Sequence, residues 1–192
     1  MTIWFTSDQH YNHSNIIIYC QRPFSSIEEM NEGLVSGHND RVMPEDIVYH
    51  VGDFSLSEKI TAQYLPRLNG IHHLIFGNHD SPHPTHKKKV GAIQRYLDYG
   101  FASVQESLRL TFPNLGQVLI NHMPLRPDST GTDEDQRYLK GRPELLPEDD
   151  WLLCGHVHEK FKMKGSMINV GVDVWGYKPV NIEELGQLTG KI

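Results

Sequence analysis

Short apolar runs recur along the chain, and most of them stop at a small polar cluster. The first, Thr2–Thr6, is rich in β-branched and aromatic residues and reads as a buried strand ending at Ser7-Asp8-Gln9-His10. Ile47–Val51 and His73–Phe76 repeat the design, running into Gly52-Asp53 and into Gly77-Asn78-His79-Asp80. Between these strands the period changes. Ile27, Met30 and Leu34 fall at helical spacing behind Ser25-Ser26-Ile27-Glu28, which reads as a capping box. Ile60, Tyr64 and Leu68 follow Ser57, a helix cap, and stop at Asn69-Gly70. Val90, Ile93 and Leu97 predict a further helix, closed by Gly100.

The later part of the chain is mostly strand-like. Val104–Phe112 and Gln117–Asn121 are expected as strands joined by the turn Pro113-Asn114-Leu115-Gly116, the second ending at Asn121-His122. Residues 123–150, rich in Pro, Gly and charge, read mainly as a long loop. Trp151–Cys154 is expected as a strand running into Gly155-His156-Val157-His158, and Phe161–Lys164 with Met167–Val170 as a hairpin around Gly165-Ser166. Strand alternating with helix, then mostly strands, predicts two packed sheets, the first largely parallel and flanked by helices. Open α/β sheets hold ligands at the carboxyl ends of their strands. Asp8, Asp53, Asn78, His122 and His156 all fall just past such ends.

Composition narrows the class. The 192 residues suit one domain over 1–192, with 38% hydrophobic and 22% charged residues, as in globular proteins rather than disordered or membrane chains. The run Ile16–Cys20 is far too short to span a bilayer. Met1-Thr2-Ile3-Trp4-Phe5 lacks the basic region and cleavage site of a signal peptide, so the expected compartment is the cytoplasm. Cys20 and Cys154 follow no metal-site or disulfide spacing and read as reduced buried thiols. A net charge of −6 argues against a broad grip on extended nucleic acid, yet admits a nucleotide whose phosphates meet metal ions. Twelve histidines is a high count, and metal ligation or acid–base chemistry is one reason for such enrichment.

Position then sorts the polar residues. Asp8, Asp53 and Asn78 offer oxygen; His10, His122, His156 and His158 offer imidazole nitrogen. Mixed oxygen and nitrogen donors without cysteine suit divalent Mn, Fe, Ni or Zn. So many donors exceed the needs of one catalytic ion and suit two ions sharing a carboxylate. If Asp8-Gln9-His10 and His156-Val157-His158 are extended, residues i and i+2 point the same way and each pair presents two groups together.

Asp8-x-His10, Gly52-Asp53, Gly77-Asn78-His79-Asp80, Asn121-His122 and Gly155-His156-x-His158, in this order, resemble the signature of the calcineurin-like metallophosphoesterase superfamily. Thr6–Phe24, with Asn12-His13-x-Asn15-Ile16-Ile17 and Arg22-Pro23-Phe24, resembles a compact phosphoesterase subgroup common in phages and bacteria. The resemblance implies a four-layer α/β/β/α sandwich of two mixed sheets flanked by helices. It implies two divalent metal ions per chain, with manganese the first choice. Asp8, His10, Asp53 and His158 would bind one ion; Asp53, Asn78, His122 and His156 the other, with Asp53 bridging. A hydroxide held between the ions would attack phosphorus in line, and His79 would protonate the leaving oxygen as general acid. Asp80, standing where many relatives carry Glu, would orient His79.

The substrate is read by subtraction. The protein serine/threonine phosphatases of this superfamily carry an Arg shortly after Gly-Asp, whereas Phe54-Ser55-Leu56-Ser57 follows here. Its repair nucleases carry extra domains, for which this chain has no room. A small phosphodiester or nucleotide remains as the expected substrate. The alternatives are a phosphomonoesterase, a nucleic-acid end-processing phosphoesterase and a catalytically silent binding scaffold. His13, Arg22 and Arg126 are candidate substrate contacts, with Arg137 and Arg142 as further cations. Lys87-Lys88-Lys89 reads as a solvated face or a phosphate-steering cluster. His38, His50, His72, His83 and His86 read as structural or solvated, the last three in or near loops.

Overall fold

The apolar runs of the first half become neighbouring parallel strands. In the computed structural model, which describes residues 1–87, 90–125 and 141–190, β1 (Ile3–Thr6), β2 (Ile47–His50), β3 (Ile71–Ile75) and β4 (Ser103–Gln105) lie side by side. All are parallel, with Ile3 opposite Ile47, Ile47 opposite Ile71 and His73 opposite Ser103. The second sheet has the order β5 (Ser107–Phe112), β6 (Gly116–Asn121), β7 (Trp151–Cys154), β9 (Met167–Asn169) and β8 (Met163–Lys164). Its β5–β6 and β8–β9 pairs are antiparallel, while β6, β7 and β9 run parallel. A last strand, β10 (Val180–Asn181), pairs antiparallel with β1, so both sheets are mixed. The single strand expected over Val104–Phe112 is divided at Glu106, because the chain leaves the first sheet there and begins the second.

Side chains alternate across each sheet, and this builds apolar clusters both between the sheets and on their outer faces. Phe5, Val51, Ile75, Val118, Ile120, Leu153 and Ile168 meet between the sheets. Leu74 and Phe76 pack with Met30, Leu34, Leu65, Tyr96 and Phe101 on the helical side of the first sheet. On the outer face of the second sheet, Leu119, Leu152 and Cys154 pack with Leu125 and Leu145. Each fully buried side chain among these contributes roughly 1.5–3 kcal/mol. The expected α/β sandwich of two mixed sheets flanked by helices is what the chain forms.

The helices refine the sequence reading. The short α1 (Ser14–Tyr19) was not expected from the pattern. α2 (Ile27–Asn39) is capped one residue later than expected: the Glu29 N–H donates to the Ser26 hydroxyl, and the Ser25 N–H donates to the Glu29 carboxylate. Ser57 precedes α3 (Glu58–Tyr64), but its side chain makes no cap bond. α4 (Ala92–Asp98) excludes Val90, which is exposed. α5 (Ile182–Thr189) begins with a reciprocal capping box between Asn181 and Glu184, a signal the sequence carries and the periodicity reading passed over. No helix among the described residues is long and apolar enough to cross a membrane.

Candidate metal centre

The strand ends deliver their polar residues through tight turns, not extended ones. Asp8, His10 and Asn12 have φ of 58°, 52° and 62°; Asp53 has 55°; His156 and His158 have 70° and 50°. The extended Asp-x-His and His-x-His geometry expected from sequence is therefore corrected. The backbone coils left-handed at these residues and turns their side chains back over the sheet edge. Such conformations cost about 1–3 kcal/mol each for residues other than glycine, so the surroundings must hold them. The Asp8, His10 and Tyr11 N–H groups donate to the Gly52, Asp53 and Phe54 carbonyls at 3.0, 3.1 and 3.0 Å. The Asn12 N–H donates to Asn31 Oδ1 of α2 at 2.9 Å. A Cβ on Gly77 would strike the Asp53 carboxylate, and one on Gly155 would strike Ser7 and Asp8. Glycine stands at both positions because two strand-end loops touch there.

These turns bring the predicted donors together. Asp53 Oδ2 lies 3.4 Å from His122 Nε2, 3.6 Å from His10 Nε2 and 3.9 Å from His79 Nε2. Asp8 Oδ1 lies 3.9 Å from His10 Nε2. Asn78 Oδ1 lies 2.9 Å from His156 Nδ1 and 3.2 Å from His122 Nε2. Asp8, His10 and His158 offer donor atoms within 4.8 Å of one another, as do Asp8, Asp53 and His122.

The pattern of hydrogen bonds says what this cluster lacks. His10 is buried and neither ring nitrogen has a partner, although two carboxylates face it. His122 Nδ1 lies 2.8 Å from the Val51 carbonyl, to which it must donate. In the neutral ring Nε2 then carries a lone pair, aimed at the oxygens of Asn78 and Asp53, which are acceptors too. Lone pairs converging in a buried space repel unless a cation lies among them. The titration behaviour has the same origin. Burial works to lower His122, but Asp53 and Asp8 hold it up to about 9, so a proton meets part of the demand. Burial keeps His10 well below its ordinary value and takes His156 down to about 3, which leaves both rings neutral and able to donate a lone pair. Burial would raise Asp53, yet His122, His10 and His79 hold it well below the usual carboxylate range. The residues present therefore fit divalent metal binding.

A second layer orients the donors. Asp173, in the turn Val172–Val174, accepts from His158 Nδ1 at 3.1 Å, and both its oxygens pair with Arg22 at 2.8 and 2.9 Å. Arg22 also donates to the Asp8 and Gln9 carbonyls at 2.7 and 2.9 Å. Asn169 Nδ2 donates to the His158 and Phe161 carbonyls and shapes the His-x-His turn. Sequence reasoning missed Asp173 and Asn169, since neither belongs to a spaced motif.

Several expected roles change. Asp80 does not orient His79. It is buried, and its carboxylate accepts the N–H groups of Asp53, Gly77 and Phe54 at 2.8, 2.8 and 3.2 Å, clamping two strand-end loops together. Arg22 is not a substrate contact, because its guanidinium is buried and fully engaged. His13 does reach the centre: its ring lies 5.5 Å from that of His10, and its Nδ1 has no partner. Arg126 and Arg137 lie outside the described residues. Arg142 donates to the Pro124 carbonyl at 3.1 Å. Cys20 is only partly buried and stands beside His158 and Asp173, whereas Cys154 is buried as expected. His72 lies in β3, not in a loop.

Comparison with known proteins points to one family. The calcineurin-like phosphoesterase family model matches residues 1–160. An uncharacterised protein of Methanocaldococcus jannaschii is 34% identical, over 98% of this chain and 92% of its own. The Gene 66 protein of Mycobacterium phage L5 is 29% identical, over 98% of this chain and 94% of its own. The crystal structure of a protein of unknown function from Aquifex aeolicus superposes with a TM-score of 0.68 at 25% identity, covering 97% of this chain and 98% of that one. With its donors gathered at the carboxyl ends of two packed sheets and the family model spanning most of its length, this chain belongs to the calcineurin-like phosphoesterase family.

Proposed function

We propose that the protein is a dinuclear metal-dependent phosphoesterase acting on a small phosphodiester or a nucleotide. Asp8, His10, Asp53 and His158 would hold one divalent ion and Asp53, Asn78, His122 and His156 the other. The observation that carries this reading is the buried His10 ring, unpartnered at both nitrogens and facing the carboxylates of Asp8 and Asp53. Manganese is the first choice of metal, and Fe, Ni and Zn suit the same donors. When bound, the ions supply a Lewis acid for the phosphoryl oxygens and lower the pKa of the attacking water.

The chain's own groups do the rest. Asp53 Oδ2, within 3.9 Å of three imidazole rings, is the oxygen best placed to be shared. Asp173 holds the proton on His158 Nδ1 and leaves Nε2 as the donor. His79 borders the centre without being enclosed: its side chain is 45% exposed, and its backbone N–H donates to Asp53 Oδ1 at 2.9 Å. As the phosphorus–oxygen bond breaks, Nε2 of a protonated His79 gives its proton to the leaving oxygen. Such acid catalysis is worth roughly 10²–10⁴-fold. A general acid beside a complete donor set supports an enzyme over a binding scaffold, and the net charge of −6 supports a small substrate over extended nucleic acid.

The test is hydrolysis of an aryl phosphodiester and the matching monoester by protein stripped of metal and reloaded with Mn. Diester turnover should return only with metal. The His79→Ala variant should keep its metal content and lose roughly 10²–10⁴-fold in kcat. Turnover of the monoester alone would make the protein a phosphatase. No turnover of either ester with two ions bound per chain would leave the scaffold.

A further inference from the structure

A cavity of about 900 Å³ opens beside the metal centre, and His79 is part of its wall. The ring thus belongs to two places at once. Its Nε2 lies 3.9 Å from Asp53 Oδ2, while nearly half of its side chain is exposed. Further lining comes from the start of α3 and from Ser81, Thr85, His86 and Lys87, which follow Asp80. His86 Nε2 donates to the Asn78 carbonyl at 2.8 Å, which ties that segment to a donor loop and sets the cavity's place relative to the centre.

The lining is unlike the rest of the molecule. The chain is acidic, with a net charge of −6, yet Lys59 and Lys87 line this cavity, and neither has an ion-pair partner among the described residues. Arg95 is there too, but Glu58 takes its guanidinium through bonds of 2.7 and 2.9 Å. Two exposed apolar side chains, Leu56 and Val90, complete the wall. The volume is that of a pocket for a small organic molecule. Two ammonium groups without an ion-pair partner among the described residues, together with exposed apolar side chains, suit a ligand with a carbon body and an anionic end.

We propose that this cavity receives the leaving group of the phosphoester, and that the leaving group carries a second anionic group of the phosphate class, met by Lys59 and Lys87. The inference rests on His79 as the acid of the proposed reaction, because the oxygen that takes its proton has to lie within hydrogen-bond reach of a ring that also lines this cavity. It adds a substrate class: esters whose departing alcohol is itself phosphorylated.

Two measurements test it on the Mn-loaded protein and on its Lys59→Ala/Lys87→Ala variant. The first is calorimetric titration with 4-hydroxyphenyl phosphate, the alcohol such an ester would release. The wild type should bind it more tightly than the variant by on the order of tenfold, two exposed ion pairs' worth. Equal affinity overturns the proposal. The second compares KM for two methyl aryl phosphodiesters, identical except that one leaving phenol bears a 4-phosphate. In the wild type KM should be lower for the phosphorylated ester, and that ratio should collapse in the variant. Equal KM values in the wild type, with both esters hydrolysed, overturn the proposal and leave the phosphoesterase reading standing. Hydrolysis of neither ester, with metal bound, strikes the phosphoesterase reading itself. Thermal unfolding of the variant checks that its fold is intact.

Discussion

Asp173 shows how much of this centre rests on a residue outside its motifs. Its carboxylate receives the His158 Nδ1 proton and pairs with a buried Arg22 that in turn grips the Asp8 and Gln9 carbonyls. One side chain therefore orients a metal donor on the second sheet and braces the turn carrying Asp8 and His10 on the first. Asp173→Asn should lower affinity for divalent metal roughly 10–100-fold, read by competition with a metal-binding dye. It also leaves the Arg22 charge buried and unpaired, a loss of about 3–5 kcal/mol that denaturant unfolding should show. Unchanged metal affinity with reduced stability would confine Asp173 to bracing Arg22. Asp80 teaches the same lesson in reverse: a residue inside a motif serves the backbone of its neighbours.

At the scale of elements, three histidines lock α2 against the first sheet. Gln9 Nε2 donates to His50 Nδ1 at 3.2 Å, His50 Nε2 donates to His72 Nδ1 at 3.0 Å, and His72 Nε2 donates to the Leu68 carbonyl at 3.2 Å. His38 of α2 lies over both rings and donates to the Asn69 carbonyl at 2.8 Å. The bonds require neutral rings, and burial lowers all three: His38 goes from 6.5 to about 4, His50 well below 6.5. The folded pKa lies under the unfolded one. As the pH falls below 6.5 the unfolded chain takes up protons first, so stability present above that pH is lost down to about 4. His38 alone accounts for roughly 3 kcal/mol of the loss. Unfolding midpoints should fall across this window, and His38→Gln should flatten the fall. A midpoint independent of pH there would contradict the cluster's neutrality.

For the molecule as a whole, the centre is a seam. Asp8, His10, Asp53 and Asn78 follow strands of the first sheet; His122, His156 and His158 follow strands of the second. Ions bound here join the two sheets at their carboxyl ends and have no equivalent site in the unfolded chain. Manganese at a hundred times its dissociation constant adds about 2.7 kcal/mol. In a chain of this size that raises Tm by roughly 5–10 °C, and a chelator should reverse it. Asp53→Asn removes a carboxylate from the middle of the cluster and should abolish the shift. A Tm indifferent to metal would mean that the donors do not hold ions across the seam.

Much of this was legible in the linear chain. Apolar runs placed most of the strands, and the polar clusters at their ends named the residues that the fold gathers into one cluster, because periodicity and turn chemistry are properties of neighbours in sequence. Even there, a strand break at Glu106 and the cap at Ser26 fell to local detail that periodicity does not carry. The left-handed turns, the service of Asp80 to three backbone amides, the burial of Arg22 and the partnership of His158 with Asp173 were not legible. Arg22 and Asp173 stand 151 residues apart, and nothing near either one announces the other. The chemistry of each side chain is written in its own residue type. Its partner and direction are set by which distant backbone and charge the packing of two sheets brings within hydrogen-bond reach.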